Sequence, residues 1–152
     1  MSVPIEVSLL AIREELVAAS QYATAAGLEL DTYQVEAGEP RFSVTFMNSQ
    51  SESFIAEFHC ADYPMYPPIV EFVNRDRSER GTQRLYPQGF HPTPCICMRY
   101  NRKAYSERGG PHSDWRLLDW RLPTGNAHGI DSLALMISDL HSKILASKGR
   151  LG

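Results

Sequence analysis

Lysine is scarce in this chain. Of its 15 basic residues only Lys103, Lys143 and Lys148 are lysines, and 18 acidic residues leave a formal charge of -3. A general nucleic-acid binder needs a basic footprint that such a balance does not supply. The densest basic stretch, Arg75 to Arg84, is diluted by Asp76, Glu79 and polar neighbours. Long apolar runs are missing too, so no segment reaches the roughly 20 residues that a membrane span requires. The opening Met-Ser-Val-Pro-Ile-Glu has no cationic region ahead of an apolar run, so no signal peptide is expected and the expected location is cytoplasmic. Cysteine occurs only as Cys60, Cys95 and Cys97. An odd count without an export signal points to reduced thiols rather than a disulfide framework. Repeats and low-complexity segments are absent, and 152 residues with 43% hydrophobic content suit one globular domain spanning residues 1–152.

What is present reads as helix, strands, loop and helix. From Pro4 to Ala25, Ile5, Leu9, Ile12 and Leu16 recur at helical spacing, with Glu6, Arg13 and Glu14 on the opposite side and Gly27 as the stop. A charged helix face of this kind is ordinarily just solvated. Leu28 to Glu36 reads as a first strand, closed by the turn Gly38-Glu39-Pro40. Arg41 to Met47 alternates cleanly, with Phe42, Val44 and Phe46 against Arg41, Ser43 and Thr45. Phe54, Ala56 and Phe58 repeat the pattern, and Val70 and Phe72 mark a shorter fourth strand. Alternation of this type predicts an antiparallel meander with one face buried and the other wet. Ile130, Leu133, Ile137, Leu140 and Ile144 then predict a closing amphipathic helix ended by Lys148-Gly149.

Two stretches do not fit that scheme. Tyr63-Pro64-Met65-Tyr66-Pro67-Pro68 is too proline-rich for helix or central strand, because proline fixes φ and lacks a donor. It predicts a stiff connection, a candidate for a cis bond, packed on the sheet by Tyr63 and Tyr66. From Arg99 to Gly129 periodicity is weak, with Gly109-Gly110-Pro111 read as a flexible tip and Trp115, Leu117, Leu118 and Trp120 as apolar anchors. So long a connection in a compact domain is expected to serve a site.

The chemistry is sought in His91-Pro92-Thr93-Pro94-Cys95-Ile96-Cys97-Met98. In an extended segment Ile96 and Met98 point inward and Cys97 outward. Cys95 shares the parity of Cys97 and stands as the alternative nucleophile or as a resolving thiol. Cys60 reads as a small buried hydrophobe. His91 is expected to brace the turn rather than act as a base. A zinc reading on Cys95, Cys97, His91 and His112 lacks the second ligand limb that structural zinc sites carry, and neither a metal nor a cofactor is expected.

The order of these elements resembles that of the ubiquitin-conjugating (E2) family. Tyr63-Pro64-Met65-Tyr66-Pro67-Pro68-Ile69-Val70 resembles its Tyr-Pro-x-x-Pro-Pro-x-Val signature, His91-Pro92-Thr93 its His-Pro-Asn, and Ile96-Cys97-Met98 its Ile-Cys-Leu around the nucleophile. The resemblance covers most of residues 40–147. It implies an α+β, UBC-like fold with an N-terminal helix, a four-stranded antiparallel meander, an active-site loop and a C-terminal helix. By the same token it implies an E2-like carrier that takes a ubiquitin-like protein from an E1-like activating enzyme onto Cys97 and passes it to a target amine, with or without a ligase. His91 and Thr93 complete the implied catalytic set, while Met65, and less centrally Arg13, fall on the implied partner-docking surface. The family's Asn is Thr93 here, its spacing to the cysteine is shorter, and the loop to a tryptophan, taken as Trp115, is longer. Asn101, His112, Asp114, Asn126 and His128 are candidates for the missing oxyanion donor. The compact form resembles the E2-like proteins of bacterial conjugation operons associated with anti-phage defence. A non-catalytic binding module of the same fold is the alternative.

Overall fold

A computed structural model describes residues 2–122 and 129–151. The period-two segments pair in chain order as an antiparallel sheet of β1 (Glu29–Asp31), β2 (Arg41–Met47), β3 (Ser53–His59) and β4 (Ile69–Val73). Phe42 stands opposite Phe58 and Phe46 opposite Phe54, while Ala56 and Phe58 face Phe72 and Val70. Because side chains alternate along a strand, these residues share one face, and all of them are buried. The rings of Phe42 and Phe58 stack with centroids 4.9 Å apart, the kind of cross-strand pair that stabilises a sheet.

Helix α1 (Ile5–Ala26) lies against β1 and α3 (Leu133–Ala146), and α3 against β2. Leu9, Ile12 and Leu16 of α1 and Leu133, Ile137, Leu140 and Ile144 of α3 join the sheet's apolar face in one core. Burying each such side chain contributes about 1.5–3 kcal/mol before entropy is charged against it. Pro4 precedes the first turn of α1, and Gly27, with φ 73°, closes its end by donating to Ala23 and Thr24 carbonyls. Only a residue tolerant of the left-handed region suits that position. The architecture is α+β: helix, four-stranded antiparallel sheet, helix. Among the described residues no helix is long and apolar enough to cross a membrane.

Several expectations need correction. The first strand is only Glu29–Asp31, followed by a one-turn helix, α2 (Tyr33–Glu36). Asp31 Oδ1 accepts the Tyr33 N–H at 3.0 Å, a local bond that turns the chain where the weak alternation runs out. The last helix starts at Leu133 rather than Ile130, because Ser132 caps it through the Leu135 N–H. The long segment contains 3₁₀ turns at Arg102–Ala104, Ser106–Arg108 and Leu117–Asp119. Leu118, read as an anchor, is exposed.

The middle of the sheet's outer face is not wet. Ser43, Glu57 and Glu71 form one cross-strand row, and all three are buried. The segment after β4 folds back over them, pairing Arg80 with Val73. Gly81, with φ 66°, permits the approach, since a Cβ there would meet Glu71 Oε2 at 2.9 Å. Arg80 donates to Glu57 at 2.5 Å and to Glu71 at 3.2 Å, and Lys103 holds the other Glu71 oxygen at 2.6 Å. Arg77 donates to Ser43 Oγ at 2.9 Å, and Arg84 pairs with Glu79. Most of the arginines of the diluted basic stretch are thus engaged by this chain's own carboxylates.

Candidate functional site

The proline-rich connection is the platform on which the loops rest. Tyr63 is buried and its hydroxyl donates to both oxygens of Glu15 at 2.7 Å, while Glu15 Oε1 accepts the Leu133 N–H at the start of α3 at 2.9 Å. Burial, and then the Glu15 bond, push the Tyr63 hydroxyl well above its ordinary pKa. Glu15 therefore joins α1, the connection and α3, a role with no mark in the sequence because its partners lie far along the chain. Trp120 Nε1 donates to the Met65 carbonyl at 3.1 Å, and the Arg102 guanidinium lies 4.6 Å over the Tyr66 ring. The Tyr63–Pro64 and Thr93–Pro94 bonds are cis.

The thiol segment is fixed at two points. His91 and Cys95 close a tight turn, with the Cys95 N–H donating to the His91 carbonyl at 3.1 Å. His91 Nδ1 accepts the Thr93 N–H at 3.2 Å, and the Thr93 hydroxyl lies 3.0 Å from the same nitrogen. The second point is Asn101. Its Oδ1 accepts the Val70 N–H of β4 at 2.9 Å and the Lys103 N–H at 3.2 Å, and its Nδ2 donates to the Ile96 carbonyl at 2.9 Å. A buried amide with bonds on both ends is a rigid brace. Asn101 and Thr93 are both engaged within the fold.

Ile96 is buried, Cys97 and Met98 are half-buried, and Cys95 is only 6% exposed. Met98 is thus turned inward less fully than strict alternation predicts. Burial, and then the neighbouring Cys97 thiol, push the Cys95 thiol up to about 12. Cys97 is also raised by burial, an effect that the Cys95 thiol opposes. Of the three thiols Cys97 alone is partly accessible, and Cys60 is sealed in the core. Since alkylation consumes thiolate, iodoacetamide should label Cys97 in the folded protein at a rate that climbs through alkaline pH, sparing Cys60 and Cys95. Peptide mapping by mass spectrometry checks this, and first labelling at Cys95 would reverse the assignment of the accessible thiol.

A cleft of about 270 Å³ opens beside the thiols, lined by Val70, Tyr86, Thr93, Cys95, Lys103 and the strip Gly109-Gly110-Pro111. Of the thiol pair it is Cys95 that lines it. The glycine strip is not a free tip: the Gly110 N–H donates to the Tyr105 carbonyl at 2.9 Å, and a Cβ on Gly110 would lie 2.2 Å from the Lys103 carbonyl. Gly110 lets the strip press against the 103–104 backbone and form one wall. A second, polar cleft of about 310 Å³ continues past Lys103 and Arg108 to His59, Glu57 and Glu71. Tyr86, Lys103 and Arg108 were not among the residues expected from sequence; the last two reach the cleft only through the return of the 99–111 segment.

The remaining candidates are scattered. His112 stacks on Trp115 with centroids 3.7 Å apart, and the Arg99 guanidinium lies 4.8 Å from that indole ring. Asp114 is exposed. Asn126 and His128 lie outside the described residues. The buried tryptophan that meets the proline-rich connection is Trp120, its ring 6.1 Å from that of Tyr63, rather than the half-buried Trp115. Met65 is half-buried in an apolar depression with Val3, Pro4, Val7, Pro64 and Arg121. Arg13 is exposed on α1 and turned toward α2, where it donates to the Val35 carbonyl at 3.2 Å, so the two do not share that depression. Among the described residues no three His, Cys, Asp or Glu side chains are grouped to hold a metal. Compared with family models, curated proteins and solved structures, the chain finds no match in any of the three.

Proposed function

We propose that the protein is an E2-like acyl carrier: the Cys97 thiolate attacks the activated C-terminal carbonyl of a ubiquitin-like protein on an E1-like enzyme. It holds that tail as a thioester and yields it to a target amine, lysine by preference. The observation that carries the reading is Cys97 itself, the one partly accessible thiol, on a segment braced by Asn101 and adjoining an open cleft. The residues from Tyr63 to Cys97 support it through their resemblance to the family signature, and the order helix, meander, thiol loop, helix supports it through the fold. A thiol raised by burial suits storage, because a basic thiolate is a poor leaving group and its thioester resists water. In this reading the depression around Met65 and Val7 receives the activating enzyme or a ligase. No cofactor is needed, since activation energy arrives with the acyl group.

One observation favours the second reading, a non-catalytic module that binds a ubiquitin-like protein. Thr93 is engaged by the His91 ring, and Asn101 by backbone groups, so neither side chain is free to donate to an oxyanion as they stand. Incubation with ATP, an adenylating enzyme and its ubiquitin-like modifier separates the two. The carrier gives an adduct of one chain and one modifier that dithiothreitol dissolves. Binding without any such adduct would leave the module.

A further inference from the structure

Where β3 begins and β4 ends, a third cleft of about 380 Å³ shares no residue with the one beside the thiols. Phe54, Ile55, Val73 and Leu85 give it an apolar lining, and Arg75, Arg84 and Arg150 line it with charge, against Glu79 as its one carboxylate. Three positive charges to one negative is an excess that a chain of net charge -3 shows nowhere by composition. Glu79 is already satisfied: Arg84 grips both its oxygens through Nε and one amino group, and the Thr82 hydroxyl donates to it at 2.5 Å. Arg84 keeps its other amino group uncommitted. Arg150 is set in place by the chain around it, because the Leu151 N–H donates to the Tyr86 carbonyl at 2.7 Å and the Gln88 N–H to the Gly149 carbonyl at 2.8 Å. Its guanidinium lies 4.6 Å over the Phe54 ring and gives one N–H to the Ser53 carbonyl at 2.9 Å. Arg75 is exposed. Among the described residues neither Arg75 nor Arg150 has a carboxylate partner, so two guanidiniums line one cleft without a counter-charge.

We propose that this cleft binds a small phosphate monoester with a flat apolar group, an aryl or nucleoside phosphate: Arg75 and Arg150 hold the phosphate, and the organic part rests on the apolar lining. A guanidinium presents a planar fork of donors that matches phosphate oxygens. Two uncompensated guanidiniums call for two negative charges, which a phosphate monoester carries near neutral pH and a single carboxylate does not. The volume is that of a small-ligand cleft, and an apolar lining with a few placed charges is the usual build of one. Inorganic phosphate would meet the charge and leave the lining of Phe54, Ile55, Val73 and Leu85 uncovered. Arg150 is fixed by the paired tail before any ligand arrives, so little ordering is charged against binding. The site is independent of the carrier reading, since none of its residues belongs to the thiol segment.

Isothermal titration calorimetry of the full chain tests this, at about 0.15 M salt so that diffuse surface attraction is screened. Phenyl phosphate and adenosine monophosphate are compared with inorganic phosphate, which has the charge alone, and benzoate, which has the ring and one charge. The better of the two organic phosphates should bind at least roughly tenfold tighter than either control, and it identifies the organic group that suits the lining. Arg75→Gln and Arg150→Gln should each weaken that binding at least roughly tenfold. Arg116→Gln, which removes the same charge from a side chain 85% exposed elsewhere, should leave it unchanged. Arg75 is exposed, so its replacement leaves the fold intact, as an unchanged circular dichroism spectrum and melting temperature verify. No binding of either organic phosphate, equal affinity for all four probes, or an equal loss in Arg116→Gln overturns the proposal. A phosphotyrosine peptide that bound at least roughly tenfold tighter than both, through the same arginines, would make the occupant a protein segment and overturn the small-ligand assignment.

Discussion

Cys97→Ala is expected to abolish the reductant-sensitive adduct with a ubiquitin-like protein, a loss of at least about 100-fold, because no other accessible nucleophile of that reactivity remains. Cys95→Ala should keep the adduct within about tenfold of the parent, since Cys95 is buried and its thiol is pushed up to about 12. Cys97→Ser sharpens the comparison. An oxygen nucleophile in the same place forms an ester, which dithiothreitol does not cleave, so any slow adduct it makes should survive reduction. Non-reducing and reducing electrophoresis of the three variants reads all of this. An adduct of parental intensity and sensitivity in Cys97→Ala would end the assignment. If the adduct instead vanished only in Cys95→Ala, the nucleophile would be the thiol that lines the cleft.

The largest stability effect is expected at Glu57. Its carboxylate is buried in the middle of the sheet's outer face, 2.5 Å from Arg80, 3.4 Å from Arg77 and 3.7 Å from Arg41. Removing one partner of a buried ionic group leaves the others uncompensated, which typically costs about 3–5 kcal/mol. Glu57→Ala should therefore lower the free energy of unfolding by that amount, as a shift in the urea midpoint at constant slope. Arg41→Ala, which removes the most distant of the three partners, should cost about 1 kcal/mol or less. Equal effects for the two variants would mean that the carboxylate draws little from its arginines.

The central strands were legible because their chemistry is local. Phe42, Val44 and Phe46, then Phe54, Ala56 and Phe58, state their own period, and β2 and β3 run where that period runs. The same rule misled on the outer face. Glu57 looks like a solvent-facing strand residue until Arg77 and Arg80, many residues later, fold over it. Leu28 to Glu36 failed for the opposite reason: its alternation was weak, and the Asp31 turn, a local polar bond, overrode it. The cysteine pair could be read as a candidate site from residue type and spacing alone. Its surroundings were legible only in part: Asn101 stood among the candidates, whereas Lys103 and Arg108 come to the cleft only through the return of the 99–111 segment.

The sequence by itself determined the helices that flank the sheet, the strand faces that form the core and the small set of thiols from which a nucleophile could be chosen. Periodicity and residue type act over one or two turns, and so they are written in the order of the chain. Tertiary structure alone decided that Cys95, of the same parity as Cys97, is buried, which carboxylates are buried and which lysine adjoins the cleft. Exposure, desolvation and ion pairing depend on what else occupies the surrounding few ångströms, and in this fold those neighbours come from distant parts of the chain.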